Sequence, residues 1–183
     1  MNCSEIIQKD YYRISGKIEK FPLFKGYFSP NFRYIYFLRK AQYSSSNSPL
    51  GICYRLILRK LQFKYGFQIS PKTIIGEGFY LGHFGTVVIN PKVAIGKNCN
   101  ISHGVTIGQT NRGKKKGIPK IGNNVWIGAN AVIVGGISIG NNVLIAPNSY
   151  VTEDIPDNSI VSGNPISILH NENATEGYLN NLI

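Results

Sequence analysis

Acidic residues are scarce in this chain: nine Asp and Glu stand against twenty Lys and Arg, for a net charge of +11. Cysteine is scarcer still, and Cys3, Cys53 and Cys99 are odd in number and share no paired spacing. That argues against a disulfide framework and for a reducing, cytoplasmic setting. No apolar run approaches the ~20 residues that would span a bilayer. The opening "MNCSEIIQKDYYR" carries charges where a cleavable signal would have its apolar stretch. No nucleic-acid-binding motif is present, so no nucleic-acid partner is expected. No cysteine–histidine pair stands out, which disfavours a covalent enzyme intermediate.

The positive charge is concentrated at the front. Residues 1–68 hold twelve Lys and Arg against three Asp and Glu, whereas residues 69–183 hold eight against six. Within the front segment, "NFRYIYFLRKAQY" and "SPLGICYRLILRKLQFKYG" space their apolar residues by three and four, which predicts two amphipathic helices. "SSSNSPLG" between them reads as a turn offering Ser or Asn as an N-cap. Basic residues interleaved with aromatics suit a solvated helical surface, or a peripheral contact with anionic membrane.

The second half repeats with a period of six. Ile69, Ile75 and Leu81 begin an aliphatic series that resumes at Ile89, Ile95, Ile101 and Ile107, then runs from Ile121 through Ile127, Ile133, Ile139 and Ile145 to Val151. Four residues after many of these comes a small or β-branched residue, among them Val93, Cys99, Val105, Val125, Ala131, Val143 and Ser149. A helix stripe would recur at 3.6, so the pattern predicts short parallel strands joined by tight bends. One rung cannot cover its own apolar face, and rungs therefore stack into a solenoid. Three hexads per triangular coil give 18 residues per coil. The register slips twice, by two residues beside His83 and by eight around "QTNRGKKKGIP". Insertions in a solenoid loop outward, which marks both as candidate functional surface.

Subtracting the two-residue insertion leaves one coil between His83 and His103. Both occupy the third position of their hexads, so they should share an outward corner on adjacent coils ~4.8 Å apart. Three readings compete: two surface histidines without chemistry, part of a metal site, or a general base. Zinc usually takes three or four N, S or O ligands, and no carboxylate flanks either histidine, so no metal is expected. An imidazole that takes a proton from a hydroxyl as it attacks an acyl carbon fits best, with direct transfer from an activated donor.

The hexads, the insertion with His83, the long loop and "NNVWIGANAVIVGGISIGNNVLIAPNSYVTEDIPDNSIVSGNP" resemble the hexapeptide-repeat acyltransferases. The resemblance is greatest to the serine acetyltransferase-like branch, which includes sugar and capsular polysaccharide O-acetyltransferases. It implies a mainly β fold, a left-handed parallel β-helix over residues 66–168, against the usual right-handed crossover preference. A basic α-helical segment over residues 1–65 would precede it and a tail over residues 169–183 would follow, with a short helix after Pro165 ending in a loose "NENATEG" stretch. The resemblance also implies a homotrimer, acetyl-coenzyme A as donor, active sites between subunits and His83 as the base.

Serine acetyltransferases have Asp-His where this chain has Gly82-His83, and Arg-His where it has Gly117-Ile118 before Pro119. Losing those groups removes a carboxylate that orients the imidazole and a clamp for an amino-acid carboxylate. His103 replaces a Gln and could take a secondary catalytic part. The expected acceptor is thus a sugar or glycan hydroxyl, with Gly82 and Arg112 assigned to acceptor binding. On the donor side the resemblance assigns Trp126, Ala129, Pro147 and Thr152, with Lys114 and Lys115 supplying charge for phosphates in place of missing basic residues after Pro165. Three alternatives remain: serine acetylation for cysteine synthesis, N-acetylation of an amino-sugar nucleotide, and a non-catalytic binding solenoid.

Overall fold

The computed structural model describes residues 2–19 and 21–183. Among them, four helices precede fifteen short strands. The helices are α1 (Cys3–Ser15), α2 (Pro22–Gly26), α3 (Pro30–Tyr43) and α4 (Pro49–Tyr65). The capping chemistry of the sequence sets their ends. Asn2 and Glu5 form a capping box on α1, and the Ser29 and Ser48 side chains accept from the first turns of α3 and α4. Gly66 closes α4 in the left-handed conformation at φ 79°, where a Cβ would press on the Gly85 carbonyl.

The strands then wind in coils. The first coil is β1 (Phe67–Ile69), β2 (Ile74–Ile75) and β3 (Tyr80–Leu81). The second is β4 (Val87–Ile89), β5 (Ala94–Ile95) and β6 (Asn100–Ile101), and the third is β7 (Thr106–Gly108), β8 (Lys120–Ile121) and β9 (Val125–Ile127). The fourth is β10 (Val132–Val134), β11 (Ser138–Ile139) and β12 (Val143–Ile145). A fifth runs from β13 (Tyr150–Val151) past a bridge between Ile139 and Ile155 to β14 (Ser159–Gly163). Strands one coil apart pair in parallel, so the prism has three faces: β1-β4-β7-β10-β13, β2-β5-β8-β11, and β3-β6-β9-β12-β14. β15 (Ile166–His170) folds back antiparallel on β14.

Every member of the hexad series from Ile69 to Val151 lies inside the prism, and the intervening column of Val93, Cys99, Val105, Val125, Ala131 and Val143 is fully buried beside it. The solenoid predicted from the period is the fold observed. Its corners are turned by left-handed residues that the period-six sequence places regularly. Asn98, Asn124, Asn142 and Asn158 all have φ between 51 and 57° on one corner. Their side chains also stitch coils together: Asn98 Nδ2 donates to Asn124 Oδ1 at 3.1 Å, and Asn142 Nδ2 to Asn158 Oδ1 at 2.8 Å. Asn tolerates this conformation because its amide bonds locally, and here the bond is to the next coil.

The helices cover the open end of the first coil. Tyr34, Ile35 and Leu38 of α3 join one core with Phe67 and Ile69. An ion pair sealed from solvent fixes the arrangement: Arg39 Nε lies 2.8 Å from Asp10 Oδ2, with the two side chains 1% and 0% exposed. Arg39 also donates to the Ile75 and Gly76 carbonyls at 2.7 and 2.6 Å, while the Phe79 N–H donates to Asp10 Oδ1 at 2.9 Å. Burial pushes the Asp10 carboxyl up in pKa, and Arg39 opposes that shift.

Where a short helix is expected after Pro165, the chain instead forms β15, because its backbone pairs with the exposed edge of β14. After the β15 hairpin it runs back along the third face toward α1. Thr175 Oγ1 donates to Asn142 Oδ1 at 2.7 Å, and the Tyr178 ring packs tilted against Trp126 with centroids 4.7 Å apart. The Ile183 N–H donates to Asn98 Oδ1 at 3.2 Å. Its polar "NENATEG" stretch read as loose because its amides look solvated, yet the corner asparagines that receive it are far away in sequence. No helix among the described residues is long and apolar enough to cross a membrane.

Candidate active site

Strand register determines what meets at the corner between the third and first faces. Leu81 pairs with Ile101, Ile101 with Ile127, and Ile127 with Ile145. Two residues beyond each of these come His83, His103, Ala129 and Pro147, so the four occupy one corner on successive coils. The ends of that column are three strand spacings apart, about 14 Å. The imidazoles of His83 and His103 meet edge to face with centroids 5.6 Å apart, and both are exposed. The two-residue insertion is held open by the Gly85 N–H donating to the Tyr65 carbonyl at 3.0 Å. It leaves Phe84, 67% exposed, beside His83.

A cleft of about 320 Å³ opens beside His83 on the third face. Tyr80, Asn100 and Trp126 form its floor, Arg13 of α1 one wall, and Tyr178 of the tail another. Gly82 lines it too; its N–H donates to the Ile101 carbonyl at 2.9 Å, and its own carbonyl accepts from Asn31 Nδ2 at 3.0 Å. Hollows of about 860 and 900 Å³ elsewhere on the molecule contain no histidine.

The residues assigned from sequence do not all converge. Ala129 and Pro147 share the histidine corner, and Trp126 lies on the adjoining face within the cleft. Arg112, Lys114, Lys115 and Thr152 occupy the other edge of the first face, where β7 gives way to β8 and β13 ends. The long insertion closes on itself there through paired Thr110 and Gly117, and its Lys115 carbonyl accepts from the Gly136 N–H at 2.8 Å. Lys115 Nζ is ion-paired with Asp154, whose carboxyl it holds below the usual range. Within one chain, therefore, Arg112 does not reach the cleft, and Lys115 is committed to a neighbouring carboxylate. Among the described residues no group of three His, Cys, Asp or Glu is arranged to hold a metal ion.

Sequence reasoning missed Arg13, Asn100 and Tyr178. Arg13 sits on a helix whose segment shows no distinct pattern, and Tyr178 follows the polar "NENATEG" stretch, outside any repeat. Only Asn100, directly before the Ile101 rung, carried a signal: a polar side chain on an outward strand position.

Residues 118–153 match the family described as bacterial transferase hexapeptide (six repeats). Over 117 residues the chain is 42% identical to the "Putative colanic acid biosynthesis acetyltransferase WcaB" of Escherichia coli K12, covering 63% of this chain and 69% of that one. It is 39% identical over 118 residues to a serine acetyltransferase of Staphylococcus epidermidis, covering 64% of this chain and 55% of that one. A crystal structure of serine acetyltransferase from Brucella abortus strain S19 in complex with coenzyme A superposes with a TM-score of 0.75 at 26% identity, covering 92% and 68% of the two chains. The shared architecture is the left-handed β-helix. The chain spans from 30% to 62% of the length of the serine acetyltransferases of plant and Staphylococcus origin that it matches.

Proposed function

Since this chain belongs to the hexapeptide-repeat acetyltransferases, we propose that it moves an acetyl group from acetyl-coenzyme A to a sugar or glycan hydroxyl. The observation that carries the reading is the corner column, with His83 and His103 at its head and the small residues Ala129 and Pro147 below. An extended donor lying along the column fits that exposed edge, which is open to solvent along its length within one chain. Acetyl-coenzyme A supplies the activated acyl carbon. His83 takes the proton of the acceptor hydroxyl as its oxygen attacks, and returns it to the departing sulfur. His103, one coil away, steadies the imidazolium or the acceptor.

The cationic loop completes the site in an assembly. In a homotrimer the first-to-second corner of one copy, with Lys114 and Arg112, would lie against the histidine corner of its neighbour. Support for a glycan acceptor comes from the amides and aromatics of the cleft, and from the likeness to a colanic acid biosynthesis acetyltransferase. Likeness to serine acetyltransferases favours a second reading, acetylation of free serine.

The two readings separate by experiment. Coenzyme A release is measured with acetyl-coenzyme A and a panel of oligosaccharides, against L-serine. Turnover on a glycan and not on serine supports the first reading; the reverse selects the second, and no release with any acceptor removes both.

The basic segment is proposed to rest on anionic membrane. Phe24 and Phe28 around α2 are 81% and 89% exposed, with Lys25 between them. Aromatics beside cations suit a lipid interface. The double substitution Phe24→Ser/Phe28→Ser should release the protein from phosphatidylglycerol vesicles in co-sedimentation; retention would refute the contact.

A further inference from the structure

Asp10 acts on Arg13 only at a distance, and among the described residues Arg13 is in no direct ion pair. Its side chain is 3% exposed, and it donates to the Gly78 carbonyl at 3.2 Å and to the Asn100 amide oxygen, both neutral. The nearest carboxylate on its own helix, Asp10, is taken by Arg39 and the Phe79 N–H. Among the described residues no carboxylate pairs with Arg13. Burial pushes its pKa down. A buried charge is normally paired, because desolvation without compensation is costly.

Arg13 forms a wall of the cleft that also holds His83. The same cleft offers the aromatic pair Trp126–Tyr178, with rings 4.7 Å apart, and the amide of Asn100. A guanidinium binds a carboxylate in a planar fork, and an aromatic face packs against the CH face of a pyranose. The cleft volume of about 320 Å³ has room for a sugar ring as well as its carboxylate.

We propose that this cleft is the acceptor site and that Arg13 holds a carboxylate on the acceptor. The shared chemistry is a hydroxyl compound bearing a carboxylate, which a uronic acid or serine could supply. This deepens the proposed acetyl transfer and rests on His83 acting there, but the anion site is testable by itself.

Trp126 is the only tryptophan in the chain and lies in the cleft, so its fluorescence reports occupancy without any donor present. The full-length protein is titrated with sodium D-glucuronate, L-serine and D-glucose at constant ionic strength. At least one carboxylate compound should shift Trp126 emission with an affinity ten-fold or more above that of glucose. Arg13→Gln should abolish the difference. Because that variant also loses the bonds to Gly78 and Asn100, Asn100→Asp serves as a second test: it hands Arg13 an internal carboxylate and should abolish the difference while raising Tm.

Glucuronate binding above serine names a sugar acid, and the reverse names an amino acid; either outcome supports the anion site. Equal response to glucose and both acids overturns it, as does a carboxylate preference that survives Asn100→Asp, which would leave Arg13 a purely structural part. A protein that responds to glucuronate yet acetylates nothing would sink the catalytic reading and leave the anion site standing.

Discussion

His83 and His103 come from coils 20 residues apart in sequence, yet their rings meet edge to face at 5.6 Å with planes inclined by 80°. If His83 is the base, His83→Ala should lower kcat by about 10²–10⁴-fold. His103→Ala should cost less. Rings in contact do not act independently, so the double-mutant cycle on kcat/KM should show a coupling of about 0.5–3 kcal/mol. Strict additivity would mean that the two rings merely sit side by side.

The sealed pair of Asp10 and Arg39 joins the helices to the first coil. Asp10→Ala strands a buried guanidinium and should cost about 3–5 kcal/mol. For a chain of this length that lowers Tm by roughly 6–20 °C, read by circular dichroism. Arg39→Lys should rescue little, because one ammonium cannot serve Asp10 and the carbonyls of Ile75 and Gly76 together. Near wild-type Tm in Asp10→Ala would show that apolar packing alone holds the helices in place.

Glu77 gives the same junction an acid sensitivity. Its carboxylate accepts from Lys9 at 2.7 Å and pairs with Lys97 at 2.8 Å, and these bonds lower its pKa. A depressed carboxylate stabilises the fold in full above the ordinary Glu value of about 4.3, and that contribution fades as pH falls through the lower folded value. Wild type should therefore melt above Glu77→Gln at neutral pH by a few degrees, each partly exposed pair contributing about 0.2–1 kcal/mol. In acid the two curves should merge. A gap that persists at pH 2–3 would assign the effect to packing rather than charge.

Asn148 turns the histidine corner at φ 61°. Asn148→Gly should leave Tm close to wild type, whereas Asn148→Val should cost about 1–2 kcal/mol, because a β-branched residue strains in this conformation. Equal melting of the two variants would contradict the assignment of the backbone geometry as the reason for Asn.

What the sequence disclosed follows from what a period can carry. The buried column from Ile69 to Val151 was legible residue by residue, since burial on a stacked rung depends only on position within the hexad. The meeting of His83 and His103 was legible for the same reason: their registers differ by one coil. α3 and α4 announced themselves through the spacing of their apolar residues and through the Ser- and Asn-rich turn between them. Arg13 against Asn100, Tyr178 against Trp126 and Ile183 against Asn98 were not legible. Those contacts join residues 52–87 apart, and Asn181 reaches Arg13 across 168, and no local pattern encodes which distant face receives a chain.

The returning tail also bears on how the molecule comes apart. A stack of coils in which each touches only its neighbours can unzip from either end, losing one rung at a time. Here residues 171–183 act as a strap that touches the fourth, third and second coils in turn, at Asn142, Trp126 and Asn98. Loss of an end coil then tugs on coils it never contacts directly, so melting becomes more concerted. The cost is kinetic: the strap can fasten only after the coils beneath it have wound, which raises contact order and delays the last stage of folding.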